Sequence, residues 1–159
     1  MSKGEETKAR LVEKTAALIA MQGYHATGLN QITRDSDTPM GSLYYYFRGG
    51  KDELVTTAMH AGGDVITQAM QHIFATTNEL PSAIRSVVRL LADQLETSAF
   101  TMGCPIATVT LETAAQNDTI QATSQSIYRA WQAQIVAFLV KLGHPQQWAI
   151  SAALFSLVV

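Results

Sequence analysis

An all-α fold is the expectation for this chain, and three observations lead to it. No stretch alternates apolar and polar side chains with period two, so no strand and no internal repeat is foreseen. Apolar residues recur instead at helical spacing, as in Leu11, Val12, Leu18 and Ile19, with Thr15 and Gln22 on the same stripe. Helix-breaking residues fall between such stretches, at Gly23, Gly49-Gly50, Pro81, Pro105 and Gly143-His144-Pro145.

The first helix runs from about Glu5 to Gln22 and closes on Gly23, a residue suited to a left-handed C-cap. Thr27 is a suitable N-cap for a short second helix that buries Leu29 and Ile32. Asp37-Thr38-Pro39 makes a turn, with Thr38 as N-cap and Pro39 at the first helical position, where a missing N–H is harmless. A third helix then reaches about Phe47. After Arg48-Gly49-Gly50, Lys51-Asp52-Glu53 opens a fourth helix, its acids at the positive end of the dipole, continuing to Thr76. Gly62-Gly63 inside it costs about 1 kcal/mol per glycine relative to alanine, which implies either a pivot or close packing under a neighbouring helix. Beyond Asn78 and Pro81 a fifth helix extends to about Ala99. A loop at Thr101 to Cys104 precedes a sixth from Pro105 through Ala115. Asn117-Asp118 caps a long seventh to Leu142, and a last helix begins near Gln146.

With 159 residues the chain is long enough for one compact body with two functional parts. A hydrophobic share of 47% against 15% charged is too apolar for disorder and charge-poor for a monomer surface, so part of the apolar surface is expected to face a partner. The apolar run from Ala149 to Val159 is short of the roughly 20 residues that cross a bilayer. MSKGEETKAR has no signal-peptide core. No membrane association and a cytoplasmic location are therefore expected. The run ALFSLVV closes the sequence with neither cap nor polar tail, so a natural continuation is expected. A single cysteine, Cys104, excludes an intrachain disulfide and a multi-cysteine metal cluster.

Function concentrates in Thr27 to Leu54, whose two short helices and tight turn outline a helix-turn-helix. Such units lay the second helix in the major groove while the first crosses the backbone. Leu43 and Phe47, one turn apart, would anchor that second helix on Leu18, Ile19 and Ile32, leaving Met40, Ser42, Tyr44 and Tyr45 to face DNA. Gly41 lacks a side chain where backbone and duplex must approach. Ser42 can bond a base edge or phosphate, and Met40 can touch a thymine methyl. Tyrosine hydroxyls and Lys51 can hold phosphates, as can Thr27 and Asn30 at the second helix's start. The competing reading is a structural cap with packed tyrosines, but three consecutive aromatics on a short helix cannot all face one core. Bulk charge does not advertise nucleic acid. The net charge is −2, and the seven cations Lys3, Lys8, Arg10, Lys14, Arg34, Arg48 and Lys51 are accompanied by seven acids up to Glu53.

The run Thr38-Pro39-Met40-Gly41-Ser42-Leu43-Tyr44-Tyr45-Tyr46-Phe47, followed by Lys51-Asp52-Glu53-Leu54 and preceded by Gly23-Tyr24 and Thr27, resembles the DNA-binding signature of the tetracycline-repressor (TetR) family over residues about 8 to 55. Gly49-Gly50 and Gly103-Cys104-Pro105-Ile106 are similar to its LmrA/YxaF-like branch. The resemblance implies DNA contacts at Thr27, Asn30, Thr38, Met40, Gly41, Ser42, Tyr44, Tyr45 and Lys51. The chain departs from the family's pattern at Asp37, often small or glycine, at Met40, often basic, and at Tyr46, often histidine. The resemblance further implies a DNA-binding domain over 1–50 and a helical ligand-binding and dimerisation domain over 51–159. The partners implied are double-stranded operator DNA, a small-molecule effector and a second copy of the chain. Release of a palindromic operator by the effector, and hence repression, follows from the same analogy.

In the regulatory half Phe100, Met102, Cys104, Thr108, Glu112, Tyr128, Trp131 and Phe138 mix aromatic, soft and polar groups and are the candidate effector contacts. Ordinary core packing is the alternative for most of them, and a solvated carboxylate for Glu112. Ala149, Ala152, Ala153 and Ser156, with Trp148 and Phe155, would form a dimer face or pack within the chain. No cofactor, metal or enzymatic activity is expected. Gly49-Gly50-Lys51 lacks the glycine that a phosphate loop needs at 45, where Tyr45 stands. His25, His60, His72 and His144 show no ligand spacing. The rival function is a helical carrier or sensor without specific DNA binding, favoured by the balanced charge and Asp37.

Overall fold

The computed structural model describes residues 2–148 together with 150 and 151. Among the described residues seven complete helices follow one another: α1 (Lys3–Ala26), α2 (Leu29–Asp35), α3 (Met40–Tyr46), α4 (Gly50–Thr76), α5 (Leu80–Thr97), α6 (Pro105–Glu112) and α7 (Asp118–Lys141). The chain turns helical again at Gln146, and no strand occurs among the described residues. The fold is all-α, an N-terminal bundle of short helices joined to a C-terminal helical bundle.

Two apolar cores divide the work. Leu11, Leu18, Ile32, Leu43, Phe47 and Leu54 form the smaller one, under α2 and α3. Ile19, Val55, Ala58, Met59, Met70, Ile106, Val109, Ile120, Ile127 and Trp131 form the larger, shared by α1, α4, α6 and α7. Neighbouring residues of α1 thus serve different cores: Leu18 holds the small bundle, whereas Ile19, expected under the third helix, points into the large one. One position on a helix turns the side chain by about 100°, which suffices to separate them. α4 likewise gives Leu54 to the first core and Val55 to the second.

Several helix ends differ from expectation by a turn or less. α1 begins earlier, because Ser2 and Glu5 form a reciprocal capping box. Gly23 breaks the helix as expected, with a left-handed φ of 77° and a non-helical ψ of −174°, and a separate short helical turn then reaches Ala26. Gly28, not Thr27, is the N-cap of α2, and Pro39, not Thr38, that of α3. Both threonines are buried and donate to backbone carbonyls, Thr27 to Gly23 at 2.6 Å and Thr38 to Ser36 at 3.2 Å. α6 stops at Glu112, three residues before Ala115, whose own φ is 59°. Asn117 caps α7 as expected, accepting from the Ile120 N–H at 3.0 Å.

α4 stays helical through Gly62-Gly63, and close packing explains the pair. A Cβ on Gly63 would stand 3.1 Å from Ile127 Cγ2, and one on Gly62 3.2 Å from Pro105 Cγ. Further along, Trp131 Nε1 donates to Thr67 Oγ1 at 3.0 Å, and Phe74 stacks on Phe138 with centroids 4.6 Å apart. α5 buries only Ala83, leaving Ile84, Val88, Leu91 and Leu95 exposed along one stripe. The small-residue stripe through Ala149, Ala152, Ala153 and Ser156 and its flanking Phe155 lie outside the described residues. Trp148 is exposed and packs its ring against His144.

Candidate nucleic-acid interface

α2 and α3 are joined by a turn in which the Thr38 N–H donates to the Thr33 carbonyl at 2.9 Å and Asp37 adopts a left-handed φ of 49°. α3 has seven residues, so its register decides everything. Leu43, fully buried, and Phe47, just past the C-terminus, hold it from beneath. The opposite face carries Gly41, Tyr44 and Tyr45. Tyr44 is 50% and Tyr45 72% exposed, and nothing stands within 4 Å of the place a Cβ on Gly41 would occupy. Met40 and Ser42 are half-buried at the flanks, and Asn30 is exposed at the start of α2. Neither α2 nor α3 has a side-chain N-cap.

Tyr45 above all leaves little of its ring surface buried and so contributes little to folding, and Tyr44 keeps half of its surface in water. They do present hydroxyls and apolar rings together, the combination that phosphates, sugars and base edges accept. Thr27 and Thr38, by contrast, spend their hydroxyls on the backbone and shape the helix-turn-helix from inside. Lys51 is also not a free cation: its Nζ lies 4.1 Å from the centroid of the Tyr24 ring. Burial holds its amine below the usual lysine range, against the attraction of Asp52 and Glu112.

Tyr24 sits at the centre of a polar cluster that sequence reasoning did not assemble. Its hydroxyl donates to Asp52 Oδ1, and its phenol is pushed up to about 12, first by burial and then by that carboxylate. Asn117 Nδ2 donates to Asp52 Oδ2 at 2.9 Å. Glu112 Oε2 accepts the Tyr24 N–H at 2.6 Å and the His25 N–H at 3.1 Å. These partners are separated by as much as 88 residues, a distance over which no local periodicity carries a signal.

The other candidates in the regulatory half divide into four places. Cys104, Tyr128 and Trp131 lie together against the large core, with Tyr128 edge-on to Trp131 at 5.4 Å. Burial raises the Tyr128 phenol, helped by Cys104 nearby. Thr108 is not among them: its hydroxyl donates to the Cys104 carbonyl four residues back, at 2.9 Å, whereas the threonine on the α7 side, beside Tyr128, is Thr110. Phe138 is about two turns further along α7, stacked on Phe74. Phe100 is 74% exposed in the turn after α5, and Met102 half-buried beyond it. A groove of about 570 Å³ runs along α7 past Arg129, Ala133 and Val136, and another of about 620 Å³ lies between α1 and α4; none of the eight candidates lines either. Among the described residues no three His, Cys, Asp or Glu side chains converge as metal ligands, and no helix is long and apolar enough to cross a membrane.

Two family models match different parts of the chain. Residues 11–58 match the family "Bacterial regulatory proteins, tetR family", and residues 81–159 match "Transcriptional regulator LmrA/YxaF-like, C-terminal domain". The uncharacterized HTH-type transcriptional regulator YxaF of Bacillus subtilis is 28% identical over 149 residues, covering 94% of this chain and 78% of that protein. The HTH-type transcriptional regulator LmrA of the same organism is 28% identical over 131 residues, covering 82% and 69%. Among solved structures, a TetR transcriptional regulator from Legionella pneumophila superposes with a TM-score of 0.80 at 19% identity, covering 96% of this chain and 80% of its own. One from Agrobacterium tumefaciens reaches 0.82 at 13% identity, covering 98% and 84%.

Proposed function

The chain has the fold of the TetR family of transcriptional regulators, and from that premise we propose that it is a ligand-responsive repressor of the LmrA/YxaF-like branch, released from a palindromic operator by a small molecule. Residues 1–50 form the reading head and residues from 51 onward the regulatory body, with Leu54 lent to the head's core. The protein works in the cytoplasm as a homodimer, and two heads set about one DNA turn apart, or a multiple of it, read a near-palindrome.

The observation that carries this reading is the split of α3 into a buried edge, Leu43 and Phe47, and a solvated face, Gly41, Tyr44 and Tyr45. Gly41 on that face and Met40 and Ser42 at its flanks approach base edges, while Tyr44, Tyr45 and, from the start of α2, Asn30 hold the backbone. Thr27 and Thr38 contribute by fixing the turn, and Lys51 adds charge behind Tyr24. The effector contacts Cys104, Tyr128 and Trp131, with Thr108, Met102, Phe100 and Phe138 toward its periphery. A ligand there can loosen DNA only by its differential affinity for two arrangements of the body.

Selection of bound DNA from a random pool at two salt concentrations tests the proposal, with Tyr44→Ala/Tyr45→Ala as control. Enrichment of a palindrome that the control does not hold is the expected result. Enrichment of nothing at either salt refutes it and favours the carrier or sensor, the reading that the exposed Asp37 at the turn and the net charge of −2 support.

A further inference from the structure

An unbroken α-helix would bond the Tyr24 N–H to the Ala20 carbonyl four residues earlier. Gly23 prevents this, since its φ of 77° and ψ of −174° swing the chain out of the helical path. The Ala20 carbonyl and the N–H groups of Tyr24 and His25 are thereby left to find partners outside the helix, and orphaned groups away from water need them. All three are partnered by the segment that carries α6. Gly103, just before that helix, donates its N–H to the Ala20 carbonyl at 2.9 Å. Glu112, its last residue, takes the Tyr24 N–H at 2.6 Å and the His25 N–H at 3.1 Å on one carboxylate oxygen.

We propose that α6 is a splint across the break in α1, and that Glu112 is a positioning residue for DNA binding, holding the last turn of α1 and the start of α2 in the geometry the reading head needs. The inference rests on the DNA-binding reading above and extends it to a residue far from the α3 face. Beyond the break, Thr27 is tied back to Gly23, and the Gln22 side chain, just before the break, donates from one amide both to the Ala26 carbonyl of the final turn at 3.0 Å and to Gln31 of α2 at 2.8 Å. The final turn of α1 therefore moves with α2, while α6 packs in the body through Ile106 and Val109. A shift of α6 either carries that turn with it or leaves the two N–H groups open. Gly23 is doubly required: only glycine takes its φ freely, and a Cβ there would overlap Glu112 Oε1.

The test compares Glu112→Ala, Glu112→Asp and Glu112→Gln in the whole chain, reading residue-resolved amide exchange at Tyr24 and His25 and affinity for the DNA that the wild-type chain enriches. Glutamine keeps an acceptor oxygen at the same reach; aspartate keeps the charge but withdraws it by one methylene. We expect faster exchange at both amides and a DNA affinity about tenfold lower or worse in the alanine variant, within the usual range of couplings between sites. Glutamine should restore both readouts. If alanine does not fold, aspartate gives the same comparison. Unchanged exchange overturns the splint, and faster exchange with wild-type DNA affinity overturns the positioning role. Should the wild-type chain enrich no DNA, the functional reading fails, while exchange at Tyr24 and His25 still decides whether α6 closes the break.

Discussion

Asp37 shows how a single residue can act against its surroundings. It occupies a left-handed turn position with φ 49°, exposed, where a negative charge stands next to the proposed path of the phosphates. Glycine adopts that backbone without steric cost. Asp37→Gly is expected to tighten DNA binding several-fold, by an amount that shrinks as salt is raised, without lowering the melting temperature; titration by fluorescence anisotropy at two salts, with a thermal melt beside it, checks both. Tyr24 makes a second prediction. Its phenol rises from 10.0 to about 12 in the folded chain, so folding favours the protonated form. The stabilisation is complete below pH 10 and is lost as pH climbs through about 12. Tyr24→Phe should flatten that alkaline arm of the stability profile followed by circular dichroism. At this scale the sequence was legible where one residue has one local job, as with Leu43, Phe47 and the Asn117 cap. It was not legible at Glu112, which was read as a candidate effector contact, because nothing near position 112 indicates that the backbone at 24 lacks an acceptor.

Helix identity was readable from punctuation, and the seven helices fall where glycine, proline and aspartate or asparagine signals place them. The two misplaced N-caps have a common cause. Thr27 and Thr38 are sound N-caps by composition, but each hydroxyl finds a carbonyl within its own chain segment, so the cap passes to the next residue. The interior glycines of α4 are settled by neighbours: Gly63 admits Ile127 of α7, and Gly62 admits Pro105 of α6. Gly63→Val is therefore expected to cost about 1–3 kcal/mol through overpacking, despite valine's advantage over glycine within a helix. Urea unfolding measures it, and a gain in stability would show that α4 and α7 do not need this approach. For the head, Leu43→Ala removes a fully buried side chain beneath α3 and should cost roughly 2–5 kcal/mol while leaving the tyrosine face chemically intact.

Charge is distributed over the whole molecule in a way its total conceals. Up to Glu53 the seven cations and seven acids balance, so the net charge of −2 belongs to the remainder, where Arg85, Arg89, Arg129 and Lys141 face six acids. Within the head several acids are turned onto the protein itself: Glu5 accepts from Ser2, Asp52 from Tyr24 and Asn117, and Glu53 from Gly49. At physiological salt charges further off than roughly 8 Å are largely screened, so DNA at the α3 face meets the local constellation rather than the total. Affinity for the enriched operator is then expected to fall linearly on a plot of log K against log salt, with a slope of about −0.9 for each phosphate neutralised. Arg34→Ala or Arg48→Ala should make that slope shallower by about one such step per head if the side chain meets a phosphate, whereas Arg85→Ala on the body, fully outside the head, should leave it unchanged. A flat line for the wild-type chain would mean that no phosphate is engaged, and that the solvated tyrosines of α3 meet some surface other than a nucleic-acid backbone.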